Sequence, residues 1–243
     1  MRILVINPNT TASMTEKIGA AASSVAAKGT EIIAVNPADG PISIEGYYDE
    51  AFSVPGLLSE IRKGEANKVD AHIVACFDDT GLEAARSIAL APVIGIGEAA
   101  FHFASLLGHK FSVITTLSRS IAAIETNLIK YGLATRCARV RASEIPVLEL
   151  DNPASDASTR ISEEIERAKN EDRAEAIVLG CAGMADLAHR LSMKHGLPVV
   201  DGVVAAVKLA EGLGVLKLKT SKLGAYSTPS PKLYRGQFSE AAP

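Results

Sequence analysis

The stretch AHIVACFDDTGLEAARSIALAPVIGIGEAAFHFASLLG, residues 71–108, returns later as EAIVLGCAGMADLAHRLSMKHGLPVVDGVVAAVKLAEGLG, residues 175–214. In both copies a short apolar run reaches a cysteine, a helix-like segment follows, and a proline introduces a second apolar run. Cys76 aligns with Cys181, and Pro92 aligns with Pro198 after one insertion. This match is too long for two helices that merely look alike, and it predicts a repeated structural unit.

Short Val- and Ile-rich runs alternate with longer, Ala-rich amphipathic segments along the chain. The apolar runs are continuous, which is typical of strands buried on both faces, and their alternation with helices predicts parallel sheets. The predicted strands are Arg2–Ile6, Thr30–Val35, Ala71–Ala75, Val93–Ile96, Lys110–Thr115, Ala138–Arg141, Ala176–Leu179 and Pro198–Val200. The predicted helices are Thr11–Ala27, Asp49–Asn67, Leu82–Ile88, Glu98–Leu107, Arg119–Tyr131, Ala157–Glu171, Ala185–His195 and Gly202–Leu213.

We therefore predict an α/β fold of two similar lobes, each a mainly parallel sheet flanked by helices, related by a pseudo-twofold axis. The first lobe is expected to comprise residues 1–95 plus 202–243, because the last helix should return to it, and the second lobe residues 96–201. Ligands of parallel α/β sheets bind beyond the carboxyl ends of the strands. The active site is therefore expected in the cleft between the lobes.

The composition argues against several classes of function. The 243 residues are 47% apolar and 22% charged, with a net charge of −3 and acids and bases mixed along the chain. Such a balance predicts an ordinary globular protein that binds neither nucleic acid nor a membrane surface. No apolar run reaches spanning length, and the N-terminal run is too short for a signal peptide, so we expect a cytoplasmic location.

The three cysteines, Cys76, Cys137 and Cys181, do not suggest a disulfide framework or a metal site. Their number is odd and no C-x-x-C or H-x-x-x-H spacing occurs, so no metal is expected. Cys137 has no partner in the repeat and is predicted to be structural. Cys76 and Cys181 share equivalent strand ends, and the helix N-terminus that follows each is expected to favour a thiolate.

Two thiols on opposite walls of one cleft suit racemisation at a carbon made acidic by a neighbouring carbonyl. One group removes the proton from one face, the other delivers a proton to the opposite face, and each must serve in both roles. A thiolate and thiol pair does this without a cofactor. We therefore predict that Cys76 and Cys181 are the catalytic acid/base pair, with donors in the cleft stabilising the enolate-like charge.

The turns that follow the two cysteines, FDDTG and AGM, and the ends of the leading strands would supply those donors. DDTG, residues 78–81, fits a helix cap and a ligand-binding loop equally well, and one Asp could serve each role. GYYDE, residues 46–50, could cover the cleft or form a surface contact. The predicted substrate-binding residues are Asn7, Ile44, Phe77, Asp78, Asp79, Thr80, Gly95, Thr115, Thr116, Ala182, Gly183 and Met184.

One motif points elsewhere. GIGEAA, residues 95–100, fits G-x-G-x-x-A between a strand and a helix, as in a dinucleotide-binding loop. The next strand, however, ends in Thr115-Thr116 and lacks the acidic residue that would hold a ribose hydroxyl. The equivalent turn of the repeat, VDGVVAA, also lacks the pattern. We therefore predict no nicotinamide cofactor.

The strings INPNTT, GPISIEGYYDEA, ACFDDTGLEAAR, PVIGIGEAA and LGCAGM resemble the hydantoin racemase branch of the aspartate/glutamate racemase superfamily, over essentially the whole chain. The resemblance implies a cofactor-independent isomerase that inverts 5-monosubstituted hydantoins, with Cys76 and Cys181 as the acid/base pair. Amino-acid racemases of the superfamily carry Asn-Thr after the first cysteine and Thr-His after the second. Here Phe77-Asp78 and Ala182-Gly183 stand there. A neutral ring amide suits that site better than an amino-acid carboxylate, and Asp78 or Asp79 could accept a ring N–H.

Two alternatives remain open at this point. The same resemblance fits an allantoin racemase with a more polar pocket, and the two-lobe pattern alone fits a binding protein that holds a small polar ligand without turnover. The expected partners are the small-molecule substrate and further copies of the chain as a homo-oligomer. The Pro- and Ser-rich tail, residues 220–243, would pack on the body or on a neighbouring subunit.

Overall fold

The structure, a computed structural model, describes residues 1–152, 154–185 and 187–243. Its strands form two separate four-stranded sheets in which every pairing is parallel. The strands are β1 Arg2–Ile6, β2 Glu31–Val35, β3 Ala71–Val74, β4 Val93–Gly95, β5 Phe111–Thr115, β6 Cys137–Ala142, β7 Ala176–Gly180 and β8 Val199–Asp201.

Eight α-helices alternate with these strands in the described part of the chain. They are α1 Ala12–Val25, α2 Tyr47–Ala66, α3 Leu82–Ile88, α4 Ile96–Leu107, α5 Ile121–Lys130, α6 Ala157–Glu171, α7 Ala188–His195 and α8 Gly202–Val215. The predicted elements all occur, and where their ends differ from the prediction, they differ by one to three residues. The largest difference is at α7, which starts at Ala188 because residues 182–184 form a separate 3₁₀ turn. The predicted start, Ala185, is followed by residue 186, which lies outside the described residues.

The two sheets repeat one topology. Their strand orders are β2-β1-β3-β4 and β6-β5-β7-β8, the same order in each half of the chain. β3 and β7 are the interior strands that precede the two aligned cysteines, and every residue of both is buried. This is the repeat that the sequence alignment predicts, and it confirms the predicted α/β fold of two similar parallel lobes.

The helices between the two sheets bury a single apolar core. α8 packs against α1, α4 and β3, and α4 also packs against β7 of the other sheet. One continuous cluster therefore contains buried residues of both sheets, such as Ile73, Phe111 and Val178, together with Phe101 of α4. Smaller clusters lie under the outer helices, around Leu57 in the first half and around the residues near α6 and α7 in the second. Within the described residues, no helix is long and apolar enough to cross a membrane.

Candidate active site

A cavity lies where the carboxyl ends of the two sheets face each other. Its lining comes from both halves of the chain, and both aligned cysteines belong to it. The lining residues are Asn7, Pro8, Asn9, Met14, Ile44, Ala75, Cys76, Phe77, Asp78, Thr116, Ser120, Val147, Gly180, Cys181 and Ala182. The position agrees with the general rule for ligand sites in parallel sheets.

Cys76 lies two residues beyond the end of β3, and a turn over residues 77–81 separates it from α3. It is half-buried, and its Sγ is 3.4 Å from the Thr80 hydroxyl oxygen. Burial, followed by the negative charge of the Asp78 carboxyl, raises the pKa of the Cys76 thiol, although bonds to Thr80 and to the Asp78 backbone oppose this. The predicted thiolate-favouring helix N-terminus is therefore absent at Cys76, because α3 begins only at Leu82 and carboxyl groups lie nearer.

Cys181 directly follows β7 and precedes the 3₁₀ turn of residues 182–184. Its carbonyl oxygen accepts the Met184 N–H at 3.0 Å, so the turn starts immediately after the cysteine. The side chain is half-buried. Gly183 leaves room beside it, since a Cβ at that position would lie 3.7 Å from Sγ of Cys181 and 2.9 Å from a methyl carbon of Leu150.

Asp78 is the carboxyl group of the cavity wall. Burial, followed by repulsion from Glu50 and Asp79, raises its pKa to about 7, while a hydrogen bond with the Ser120 hydroxyl opposes the shift. Glu50, on the first turn of α2, has a buried carboxyl oxygen without a hydrogen-bond partner among the described residues, and burial raises its pKa as well. This wall of the cavity therefore favours neutral carboxyl groups and disfavours a further anion.

Asp79 has a different role from its neighbour. Its carboxylate accepts the N–H groups of Gly97 at 3.0 Å and Glu98 at 2.8 Å, and the Tyr131 hydroxyl at 2.8 Å. It therefore caps the N-terminus of α4 from the turn after Cys76. Burial raises its pKa to about 7, opposed by these three hydrogen bonds. The backbone of Asp79 is left-handed, with a φ of 51°.

The glycines of GIGEAA make room for this cap. A Cβ at Gly95 would lie 2.1 Å from Oδ1 of Asp79, and one at Gly97 would lie 2.3 Å from the Phe77 carbonyl oxygen. The motif that resembles a dinucleotide loop is thus filled by the chain's own carboxylate. Gly95, predicted as a substrate-binding residue, contacts Asp79 instead of the cavity.

Two predicted side-chain donors are already engaged. The side-chain N–H₂ group of Asn7 donates to Asn9 Oδ1 at 2.8 Å and to Thr15 Oγ1 at 3.0 Å, which shapes the loop after β1. The Thr115 hydroxyl donates to the Gly180 carbonyl at 3.1 Å and is fully buried between β5 and β7. Asn7 still lines the cavity, whereas Thr115 lies behind it and stabilises the sheet.

The structure brings eight of the fourteen predicted site residues together around the cavity. These are Asn7, Ile44, Cys76, Phe77, Asp78, Thr116, Cys181 and Ala182. The other six, Asp79, Thr80, Gly95, Thr115, Gly183 and Met184, are not part of its lining. The last of these, Met184, is fully buried in the core cluster near α6. Apart from Thr80, which contacts Cys76, these six shape the turns and strands around the cysteines.

Several lining residues were missed. Asn9, Met14, Ser120 and Val147 contribute to the cavity, and Glu50 lies close enough to raise the pKa of Asp78. Asn9 and Ser120 could have been found, because each follows the leading strand of its half, β1 or β5, by a few residues. Val147 lies in a segment without a repeat partner, so the alignment offered no signal for it.

A short segment closes the cavity from the first half. We call residues 40–46 the cover segment. Its Ile44 lines the cavity, and Glu45 bonds across to the second half: Oε1 accepts the Val147 N–H at 2.9 Å, and the backbone oxygen accepts Nη1 of Arg119 at 3.2 Å. Tyr47 and Tyr48 begin α2 and are 62% and 77% exposed, so the tyrosine rings are not what covers the cleft.

Among the described residues, no group of three or more His, Cys, Asp or Glu side chains is arranged to hold a metal ion. The polar groups of the cavity lining are two thiols, one carboxyl group, two hydroxyl groups and two side-chain amides.

Comparisons with known proteins identify the family of this chain. The family model described as Asp/Glu/Hydantoin racemase matches residues 3–210. The hydantoin racemase of Rhizobium meliloti is 52% identical over 236 residues, which cover 97% of this chain and 98% of that protein. The structure of allantoin racemase from Klebsiella pneumoniae superimposes with a TM-score of 0.97 at 49% identity, covering 100% of this chain and 99% of that chain.

A more distant comparison concerns the fold alone. The glutamate racemase of Francisella tularensis, solved with D-glutamate, superimposes with a TM-score of 0.64 at 15% identity, over 91% of this chain and 84% of that chain. The two-lobe arrangement of parallel sheets is therefore shared well beyond the sequences that resemble this one.

Proposed function

This chain belongs to the Asp/Glu/hydantoin racemase family and is a racemase, and from that premise we propose that it inverts 5-monosubstituted hydantoins at C5 without a cofactor. The observation that carries the proposal is that Cys76 and Cys181, which occupy equivalent ends of two repeated sheets, line the same cavity. The C5 hydrogen is acidic because removal of the proton gives an enolate delocalised onto the neighbouring carbonyl.

The proposed reaction is one proton removal and one proton delivery. The thiolate of one cysteine takes the C5 proton, and the electron pair moves onto the carbonyl oxygen as the C5–H bond breaks. The thiol of the other cysteine gives its proton to the opposite face of C5, so the thiolate and thiol exchange places. A positioned acid/base of this kind contributes roughly 10²–10⁴ to the rate.

We further propose that Cys76 carries the proton in the resting enzyme. Burial and the Asp78 carboxyl both raise the pKa of this thiol, which stabilises its neutral form. The remaining cysteine, Cys181, would then begin the reaction as the base. The enantiomer whose C5–H faces Cys181 would react directly, and the other after the proton has moved.

The cavity favours a neutral ring. Asp78 offers an acceptor for a ring N–H, and the burial and neighbouring carboxyl groups that raise its pKa to about 7 also disfavour a substrate carboxylate. Ile44, Met14 and Val147 give the rest of the wall an apolar character that suits an alkyl or aryl group at C5. These features support a hydantoin with an apolar substituent.

Allantoin is the second candidate substrate. It has the same ring, with a polar ureido group at C5, and the side chains of Asn9 and Ser120 offer polar contacts on the cavity wall. The 49% identity to the Klebsiella pneumoniae allantoin racemase is similar to the 52% identity to the Rhizobium meliloti hydantoin racemase, so identity does not separate the two.

The division into lobes, the cellular location and the oligomeric state are proposed as well. We take residues 1–95 plus 202–243 and residues 96–201 as the two lobes, since each range contains one complete sheet. Racemisation needs both thiols reduced, which suits a cytoplasmic location. The tail exposes Leu233 at 91% and Phe238 at 44%, and this apolar surface supports packing against another copy of the chain in a homo-oligomer.

The test is polarimetry on single enantiomers. L-5-Benzylhydantoin, L-5-isopropylhydantoin and (S)-allantoin are each mixed with the protein in excess chelator, without added cofactor. We expect complete loss of optical rotation, fastest with the two alkyl- or aryl-substituted hydantoins. Faster racemisation of allantoin would transfer the proposal to that substrate, and unchanged rotation in all three samples would reject a cofactor-independent racemase of these rings.

A further inference from the structure

The first part of the tail is bound to the end of α3. We call residues 220–226 the tail anchor. Its Thr220 donates its N–H to the Leu90 carbonyl and its hydroxyl to the Ala91 carbonyl, both at 3.0 Å. These carbonyls belong to the loop that joins α3 to β4. The tail anchor therefore holds the loop just beyond α3, the helix that follows the turn after Cys76.

Lys222 completes the C-terminus of α3. Its ammonium group donates to the carbonyl oxygens of Arg86 at 2.8 Å and Ser87 at 3.1 Å, two of the groups that an α-helix leaves unpaired at its end. A cation there also interacts favourably with the helix dipole. α3 has only seven residues, so its stability depends strongly on such contacts.

The corresponding helix of the second lobe ends in another way. α7 is followed by Gly196, which has a left-handed φ of 66° and donates its N–H to the Ser192 carbonyl at 2.9 Å. This is the usual glycine ending of a helix. α3 is followed by Ala89 in an extended conformation, without that ending, so Lys222 of the tail takes its place.

A second series of contacts links the tail anchor to the turn after Cys76. The Tyr226 ring lies 5.9 Å from the Arg86 guanidinium carbon, and its hydroxyl interacts with Glu83. Arg86 pairs with the Glu98 carboxylate at 2.5 Å and donates to the Val93 carbonyl at 3.1 Å. The N–H of that same Glu98 is capped by Asp79 of the turn after Cys76.

We propose that the tail anchor positions the Cys76 turn, with Lys222 as its main positioning residue. The proposal rests on the proposed two-cysteine racemase for its catalytic consequence, but the physical link between the anchor and the turn stands apart from activity. The anchor acts on the first lobe because its contacts end on α3 and on the loop before β4. The Cys181 turn is built without it.

The link is tested by hydrogen exchange followed by mass spectrometry on the full chain. Lys222→Ala should speed amide exchange in residues 77–89 by about 5- to 10-fold, since the helix end loses its cation and hydrogen bonds. Residues 181–195 should exchange as in the wild type. Lys232→Ala, an exposed lysine of the same tail, is the control and should change neither segment, and Lys222→Arg should restore most of the protection.

The consequence is tested in variants with one catalytic cysteine. Exchange of the C5 hydrogen in D₂O is measured with Lys222→Ala in a Cys181→Ser background, where only Cys76 acts, and in a Cys76→Ser background. We expect about a 10-fold fall in the first and less than a 2-fold change in the second, because small displacements of a catalytic group are costly.

Unchanged protection of residues 77–89 in Lys222→Ala would overturn the link itself. Equal falls of C5 exchange in the two backgrounds would show a general loss of structure and overturn the positioning of the Cys76 turn. A wild-type protein that racemises none of the three rings, yet shows the selective change in hydrogen exchange, would reject the proposed function and leave the link intact.

Discussion

Residues 76–79 show how much chemistry one turn can hold. Cys76 and Asp78 line the cavity, whereas Asp79 turns away to cap α4. The sequence allowed one Asp for the ligand and one for a cap, but it did not say which. Nor did it indicate that the capped helix is α4, which comes later in the chain than the helix directly after the turn. Sequence-local reasoning does not detect such a long-range cap.

The two aspartates should respond oppositely to removal. We expect Asp79→Ala to lower the free energy of unfolding at pH 8 by about 2–4 kcal/mol, because three donors lose a buried acceptor. Asp78→Ala should leave it unchanged or higher, because a carboxylate repelled by Glu50 and Asp79 is removed. Urea unfolding of the three proteins measures this. A larger loss for Asp78→Ala than for Asp79→Ala would contradict the assignment.

The same groups give stability a pH dependence. Burial raises the pKa of Asp78 and of Asp79 from 3.8 to about 7, so the folded state binds these two protons more tightly than the unfolded chain does. Their contribution is fully present below about pH 4 and is lost as the pH rises through about 7. We expect urea midpoints to fall between pH 5 and pH 8, and less steeply in Asp78→Ala. A midpoint that rises over this range would contradict the raised pKa values.

At the scale of elements, the sequence predicted the strands and helices well because both follow the pattern of apolar residues. Every predicted strand and helix occurs, and β1 and α6 have the predicted ends. The cavity was harder to predict. Several residues next to the aligned cysteines were correctly predicted to line it. Val147 and Glu50 were not predicted, because they lie on segments whose position depends on tertiary packing. Gly95 was predicted to bind substrate, but it packs beside the Asp79 side chain from an earlier turn and is not in the cavity lining.

The start of α4 offers a test of this reading. Gly97→Ala would place a Cβ 2.3 Å from the Phe77 carbonyl oxygen, so the turn after Cys76 or the helix must shift. We expect a loss of about 1–3 kcal/mol in the free energy of unfolding, together with slower racemisation. Circular dichroism melts and the polarimetric assay measure the two effects.

Gly212→Ala in α8 is the matched control. It is also a glycine within a helix, but a Cβ there meets no atom within 4 Å. The Gly212→Ala substitution should raise the free energy of unfolding by up to about 1 kcal/mol and leave the rate of racemisation unchanged. Equal behaviour of the two variants would mean that close packing of Gly97 on the turn does not matter.

At the scale of the whole molecule, the two lobes are similar in topology but not independent in packing. Phe101 of α4 is fully buried. Its ring lies edge-on to that of Phe77 in the first half, with the ring centroids 5.4 Å apart. It also stacks on the ring of Phe111 in the second half, with the centroids 6.1 Å apart. The apolar core continues through this helix from one sheet to the other. The two walls of the cleft therefore rest on one shared apolar core.

Such a core should unfold as one unit. We expect a single urea transition, coincident by far-ultraviolet circular dichroism and by tyrosine fluorescence, since the chain has no tryptophan. Phe101→Ala should lower the free energy of unfolding by about 3–5 kcal/mol. Two separate transitions, one for each half, would show that the lobes are independent and would contradict the shared core.

The central claim is that Cys76 and Cys181 work on opposite faces of one carbon. Cys76→Ser and Cys181→Ser should each slow racemisation by roughly 10²–10⁴, because a serine hydroxyl is too weak a base at neutral pH. The remaining cysteine can still remove and return the proton on its own face. In D₂O, proton nuclear magnetic resonance of the C5–H signal should show exchange of one enantiomer with one variant and of the other enantiomer with the second. A single variant that racemises at nearly the wild-type rate, or two variants that exchange the same enantiomer, would contradict the two-face mechanism.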